Sequence, residues 1–254
     1  MDNSRYLECL DEEYSLLRDA AAAADLTVPV PSCPGWTMDD LIHHVAEVYL
    51  HKVTLMRTGE RPARWPPRSL ADEPRLALLA RAYGELTAEF AARGPDAATP
   101  TWYERDQSVA FWFRRMAQET VIHRIDAEQA AGLLPTRVPD DLAMDGIDEV
   151  LNRFLSYFSP EGIAGMKGEH LADEDCTETI IVAAGNASWT VWPSRTREIA
   201  VADGVHGEPR ATIAAAPDPL LRWLWGRAGD EVVRVDGDPA WAGYLRRMLA
   251  GTTQ

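Results

Sequence analysis

The run Gln118-Glu119-Thr120-Val121-Ile122-His123-Arg124-Ile125-Asp126 decides how this chain is read. Glu119 and His123 stand four residues apart, the spacing at which two side chains of a helix lie on one face, one above the other. At about 100° per residue, Trp112, Met116, Ala127 and Ala130 fall within roughly 80° of Glu119, so the pair sits in an apolar stripe. A carboxylate and an imidazole withdrawn from water are costly unless something pairs with them. A divalent metal completed by a third ligand from elsewhere is one such partner. A buried Glu–His hydrogen bond is the other arrangement the spacing allows.

Outward from this run, helical periodicity dominates the first half. Tyr6, Leu10, Tyr14, Leu17 and Ala21 recur at helical spacing and predict a helix over 4–25. The prolines between Val28 and Trp36 push the residues before them into extended conformations and break the chain there. Thr37 is a good N-cap, followed by Asp39 and Asp40 in the first turn, so a second helix is expected over 38–57. Leu76, Leu79, Tyr83, Leu86 and Phe90 predict a third over 74–92, and the opening run lies on a fourth over 109–131, stopped by Gly132. Four helices with ordinary loops suggest an antiparallel bundle, a common setting for metal sites.

After Pro135 the pattern changes. Residues 140–158 read as one more helix or a helical linker. Short β-rich runs follow at Thr177–Ala183, Ala187–Trp192, Glu198–Ala202 and Ala211–Ala215. A helix over Pro217–Arg227, a strand over Val232–Val235 and a helix over Pro239–Leu249 close the chain. The expected class is α+β: a four-helix domain over 1–158 and a smaller α+β domain over 159–254.

Composition narrows the function. The 254 residues are 46% hydrophobic and 26% charged, as a folded protein requires. The net charge of −15 argues against nucleic acid, whose phosphates would repel it, and gives no support to anionic membranes. Basic residues are arginines except Lys52 and Lys167. Cys9, Cys33 and Cys176 form no CxxC pair, so neither a disulfide framework nor a thiolate zinc site is indicated. The N-terminus lacks signal-peptide character, and a cytoplasmic location is expected.

The second helix offers the third ligand. Its apolar face runs through Leu41, Val45, Val48 and Leu55; His44 lies within roughly 60° of that stripe, whereas His43 lies about 160° away. His44 is therefore the candidate, with His51 behind it, and His43 is expected to pair with Glu47 in water. His44, Glu119 and His123 would supply two imidazoles and a carboxylate and leave coordination positions open, a set suited to zinc, iron, nickel or cobalt more than to magnesium.

Three signatures add a resemblance. Val30-Pro31-Ser32-Cys33-Pro34-Gly35-Trp36-Thr37 with Asp40-Leu41-Ile42-His43-His44-Val45 is similar to the start of the maleylpyruvate isomerase family, mycothiol-dependent DinB-like metalloproteins of actinobacteria. The stretch Arg114 to Arg124 with Asp126-Ala127-Glu128 resembles the family's second signature. Leu220-Leu221-Arg222-Trp223-Leu224-Trp225-Gly226-Arg227 with Gly237-Asp238-Pro239 resembles its third. The chain departs from the pattern at Gln118, Ile125 and Tyr49, none of them a candidate ligand. The resemblance implies a DinB-like bundle, a sterol-carrier-like second domain, and zinc held by one histidine of the second helix with the Glu/His pair of the fourth. Its histidine follows Asp-Leu-x-x, which is His44.

The function implied is thiolate chemistry. A metal lowers the pKa of a thiol, and thiolate is the nucleophile; the family's thiol is mycothiol, and the second partner is an electrophilic small molecule. Elimination after addition gives cis–trans isomerisation, and retention gives S-transfer. Asp126 is placed to orient a metal ligand by hydrogen bonding. Arg227 could bind a carboxylate of substrate or mycothiol, or make a structural ion pair. Trp36 and Trp112 read as core, Arg114 and Arg115 as solvated apart from one that could line a cleft, and Cys33 as a small buried side chain or a reactive thiol near the start of the second helix. The rival functions are a non-catalytic metal-binding or stress-response protein and a metal-dependent hydrolase.

Overall fold

The computed structural model describes residues 1–67, 70, 72–157, 178–193 and 199–252. Cys176, Lys167 and the outer ends of two expected strands, Thr177 and Glu198, lie outside the described residues. Two compact units emerge, Met1–Thr136 and Arg137–Gln254.

The first unit is built from helices α1 (Asn3–Ala23), α2 (Met38–Thr58), α3 (Arg75–Arg93) and α4 (Val109–Ala130). α1 packs chiefly on α4 and α2 chiefly on α3, while α2 also meets α4. The starts of α1, α2 and α4 have a local cause. Asp2 and Ser108 accept backbone N–H bonds from Arg5 and Phe111 at the starts of α1 and α4. At α2 the Thr37 hydroxyl accepts from the Asp40 amide while the Asp40 carboxylate accepts from the Thr37 amide at 2.9 Å. That reciprocal cap fixes where α2 begins, and with it the facing of His44. The expected stripe of α1 is the buried one: Tyr6, Leu10, Tyr14, Leu17 and Ala21.

α4 differs from its neighbours in being enclosed nearly all round. From Val109 to Glu128 only Ala110, Arg114 and Glu119 escape the buried class. Its polar side chains are consequently paired inside the unit. Arg124, fully buried, donates to Glu13 Oε2 at 2.6 Å, Glu128 Oε2 at 2.8 Å and the Thr136 carbonyl at 2.7 Å. This cluster ties α1, α4 and the segment leaving α4 together and leaves little unmatched charge in a place where unmatched charge is expensive.

The second unit begins earlier than position 158, where the sequence expectation set the boundary. Helix α5 (Asp140–Glu149) and the π-helical turn after it (Val150–Leu155) lie with this unit. The reason is packing: α5 lies against helix α6 (Pro217–Leu224), and the Val138 amide donates to Asp218 Oδ1 at 3.3 Å. A sequence pattern shows that a helix is amphipathic but not which partner covers its apolar face.

A five-stranded sheet completes the unit in the order β3-β2-β1-β4-β5. The strands are β1 (Thr179–Ala184), β2 (Ala187–Trp192), β3 (Ala200–Asp203), β4 (Pro209–Ala215) and β5 (Arg234–Gly237), and helix α7 (Pro239–Thr252) follows. β1 runs parallel to β4; the other neighbours are antiparallel. The last strand lies later than the expected Val232–Val235. Asp230–Val232 is instead a 3-10 turn, in which the Trp223 indole donates to Asp230 Oδ1 at 2.8 Å. The class is α+β, as expected. No helix among the described residues is long and apolar enough to cross a membrane.

Candidate metal centre

α2 and α4 face each other so that His44 and the Glu119/His123 pair converge. The Nε2 atoms of His44 and His123 approach the same oxygen, Glu119 Oε1, at 3.4 Å and 3.3 Å. One donor atom from each of the three residues lies within 4.8 Å of the others; His44 and Glu119 are partly exposed and His123 is nearly enclosed, at 9%. Two ligand atoms each about 2.0–2.1 Å from a tetrahedral zinc are separated by roughly 3.3–3.4 Å, so these spacings suit a coordination sphere better than strong hydrogen bonds. The donor set therefore fits a divalent metal, with the side open to solvent left for a further ligand.

The surroundings orient each donor. His123 Nδ1 lies 3.0 Å from Asp126 Oδ2, which turns Nε2 toward Glu119. Asp126 is fully buried and also accepts from the Ser32 hydroxyl at 2.5 Å and the Cys33 thiol at 3.6 Å. The second oxygen of Glu119 is held by Arg115 Nη2 at 2.6 Å, leaving Oε1 to the histidines. Burial alone would raise the Glu119 carboxyl, but hydrogen bonds from His123 and His44, with the charges of His123 and Arg115, hold it well below the ordinary carboxylate range. Burial would lower His123, yet its bonds to Asp126 and Glu119 outweigh that and raise it to about 9. Both directions describe a pocket organised around concentrated negative charge, which a cation can replace the histidine proton in satisfying.

The Val28–Thr37 connector delivers the rest. The Val30 amide donates to the Trp36 carbonyl at 2.9 Å and the Trp36 amide to the Cys33 carbonyl at 3.0 Å, closing a tight lasso. Gly35, at φ 88°, supplies the left-handed residue that the turn needs. The lasso sets Ser32 and Cys33 on Asp126 and lays the Trp36 ring 4.9 Å from His44 and 6.4 Å from His123.

Several sequence expectations change. Trp36 is a wall of the site and only partly buried; it is not core. Arg115, expected in solvent or at the lip of a cleft, is 4% exposed and clamps Glu119. His43 is not in water: its side chain is 23% exposed against 35% for His44, and its Nε2 is buried with no hydrogen-bond partner among the described residues. It does face Glu47 Oε1, at 3.4 Å. The four-residue spacing of Arg115 and Glu119 is a signal that could have found Arg115; Ser32 carries no signal, because its partner is 94 residues away. Arg227 belongs to the second unit, where its Nη1 donates to the Trp225 carbonyl at 2.7 Å.

Comparison with known proteins bears on the family and the fold. Residues 7–128 match the family described as the mycothiol maleylpyruvate isomerase N-terminal domain, a span that contains all three donors. The crystal structure of the mycothiol-dependent maleylpyruvate isomerase is 15% identical, with 93% of each chain covered and a TM-score of 0.62. A histidine-to-alanine mutant of that enzyme aligns over the same shares at 15% identity with a TM-score of 0.63. At this identity the likeness shows the fold. No curated protein matches the chain by sequence.

Proposed function

We propose that this chain, whose residues 7–128 match the mycothiol maleylpyruvate isomerase N-terminal domain, is a metal-dependent enzyme that uses the thiol of mycothiol to attack an electrophilic small molecule. The observation that carries the reading is the convergence of His44 Nε2 and His123 Nε2 on Glu119 Oε1 at 3.4 Å and 3.3 Å. A divalent metal, zinc by the character of the donors, would be held by these three residues, and when bound it would lower the pKa of a thiol at its open side.

The chain's own residues prepare that chemistry. Asp126 keeps the His123 Nδ1 proton and so leaves the Nε2 lone pair available. Arg115 fixes the Glu119 carboxylate in one orientation. Trp36 covers the histidines from one side and narrows the approach of solvent. In the reaction the thiolate sulfur forms a bond to one carbon of a conjugated double bond, whose electron pair moves onto the activating carbonyl. Rotation about the former double bond and loss of the thiolate restore the alkene with changed geometry, a cis–trans isomerisation. Protonation of the same adduct at carbon would make the outcome S-transfer. The family and the shared fold support the isomerase outcome.

Cobalt substitution tests the reading. Adding mycothiol to the cobalt-loaded protein should produce a thiolate-to-metal charge-transfer band, and His123→Ala should show neither stoichiometric metal nor the band. Stoichiometric metal in His123→Ala, or no spectral change at millimolar thiol, would overturn it.

A further inference from the structure

Two turns of α2 beyond His44 the charge of the wall reverses. Lys52 lies at the margin of the same α2–α4 seam, with its Nζ 4.7 Å from the centre of the Trp112 ring and 3.3 Å from His51 Nδ1. Trp112 and Glu119 are seven residues apart on α4, nearly one face, so Lys52 and the donor cluster occupy successive levels of one seam. Arg115 stands between them in sequence on that helix, and Arg61 follows α2. His51 in turn meets the Trp65 ring at 5.1 Å.

The electrostatics of this end are unusual for the molecule. In a chain of net charge −15, the groups acting on Lys52 include the like charges of Arg115 and Arg61. Among the described residues neither Lys52 nor Arg61 makes an ion pair with a carboxylate. Burial lowers the ammonium most and the two arginines lower it further, against the pull of Glu119, to about 8. His51 is lowered to about 4 by burial, then by Lys52 and Arg61, so at neutral pH it is an uncharged acceptor for the ammonium. A largely buried lysine that feels two arginines as well as Glu119, with an aromatic face and a neutral imidazole as its direct neighbours, is costly in the free protein. An entering anion would remove that cost.

We propose that Lys52, seated on Trp112 and beside His51, is an anion-binding subsite that takes a carboxylate of the small-molecule substrate. The carboxylate accepts a charge-assisted hydrogen bond from the Lys52 ammonium, with Arg61 adding long-range attraction. Trp112 and Trp65 exclude water from the pair and strengthen it. The electrophilic carbon then points along the seam toward the donor cluster. The assignment of the ligand as the electrophile rests on the function proposed above; the anion subsite itself does not.

Succinate, a dicarboxylate that cannot react with thiols, separates the two. Calorimetric titration of metal-free protein with succinate, in the absence of any thiol, should show binding that weakens as salt is raised. Lys52→Met should bind at least about tenfold more weakly, the loss expected when one partner of a hydrogen-bonded charge pair is truncated. Dimethyl succinate, which keeps the carbon skeleton and loses the charge, should not bind. A second measurement stands apart from any variant. With lysine present only at 52 and 167, reductive methylation followed by peptide mass analysis reads Lys52 directly, and succinate but not its ester should protect it. Equal succinate affinity in Lys52→Met, binding of the ester, or no protection of Lys52 would each overturn the subsite. Failure of the cobalt experiment with succinate binding intact would reject the thiol chemistry and leave the subsite standing.

Discussion

The Oδ2 atom of Asp126 lies 3.0 Å from Nδ1 of His123, and the same carboxylate is fully buried beneath the Ser32 and Cys33 side chains. One residue of α4 thereby sets the tautomer and the direction of another on the next turn, and the connector before α2 holds the first in place. The candidate centre is thus a product of three segments.

Asp126→Asn should weaken metal binding by about 10- to 100-fold, because an amide no longer holds the Nδ1 proton as an anion does. Competition against a chromophoric chelator measures this directly. Unchanged affinity would show that the histidine needs no such support.

Arg124→Met should destabilise the first unit by about 3–5 kcal/mol, since it leaves the Glu13 and Glu128 carboxylates buried without their cation. Burial already raises Glu13 despite Arg124, so removal of the guanidinium should drive it to take up a proton. Urea unfolding at neutral pH reads the loss, which should shrink as the pH is lowered and the carboxyls protonate.

Lys52 should make stability rise with pH through an alkaline window. Its folded value of about 8 lies below the unfolded value near 10.4. Between these the unfolded chain binds more protons, so the unfolding free energy climbs across roughly pH 8 to 10.4 and the penalty is full and constant below. The difference in stability between the native chain and Lys52→Met should follow that rise, the titrations of other groups cancelling. A flat difference would mean that Lys52 is well solvated.

Gly237→Ala tests the second unit. Gly237 sits at φ 99°, and a Cβ there would stand 2.3 Å from the Arg210 carbonyl oxygen on the adjoining strand. A loss of about 1–3 kcal/mol from the backbone conformation alone is expected, with the clash adding to it. Because the residue pairs with Ala211 across β4 and β5, the loss should appear in the unfolding of the second unit while the first unit's stability is retained.

Local physics is legible in the residue order. The apolar repeat of α1, the Thr37 cap of α2 and the stop of α4 near Gly132 depend on residues within a few positions of one another, and the structure has these helices within two residues of where the pattern puts them. The choice of His44 over His43 came from the same periodicity, and His44 is the one brought to Glu119 and His123. The environment around those donors was decided only by the tertiary structure. Ser32 meets Asp126 across 94 residues of chain, Lys52 meets Trp112 across the seam between α2 and α4, and α5 takes its place with α6 in the second unit. A helical wheel ranks faces by hydrophobicity, so it puts His43 in water, and charge alone suggests solvent or a cleft for Arg115. Which polar side chain is enclosed depends on the partner that arrives opposite it, and only the folded chain supplies that partner.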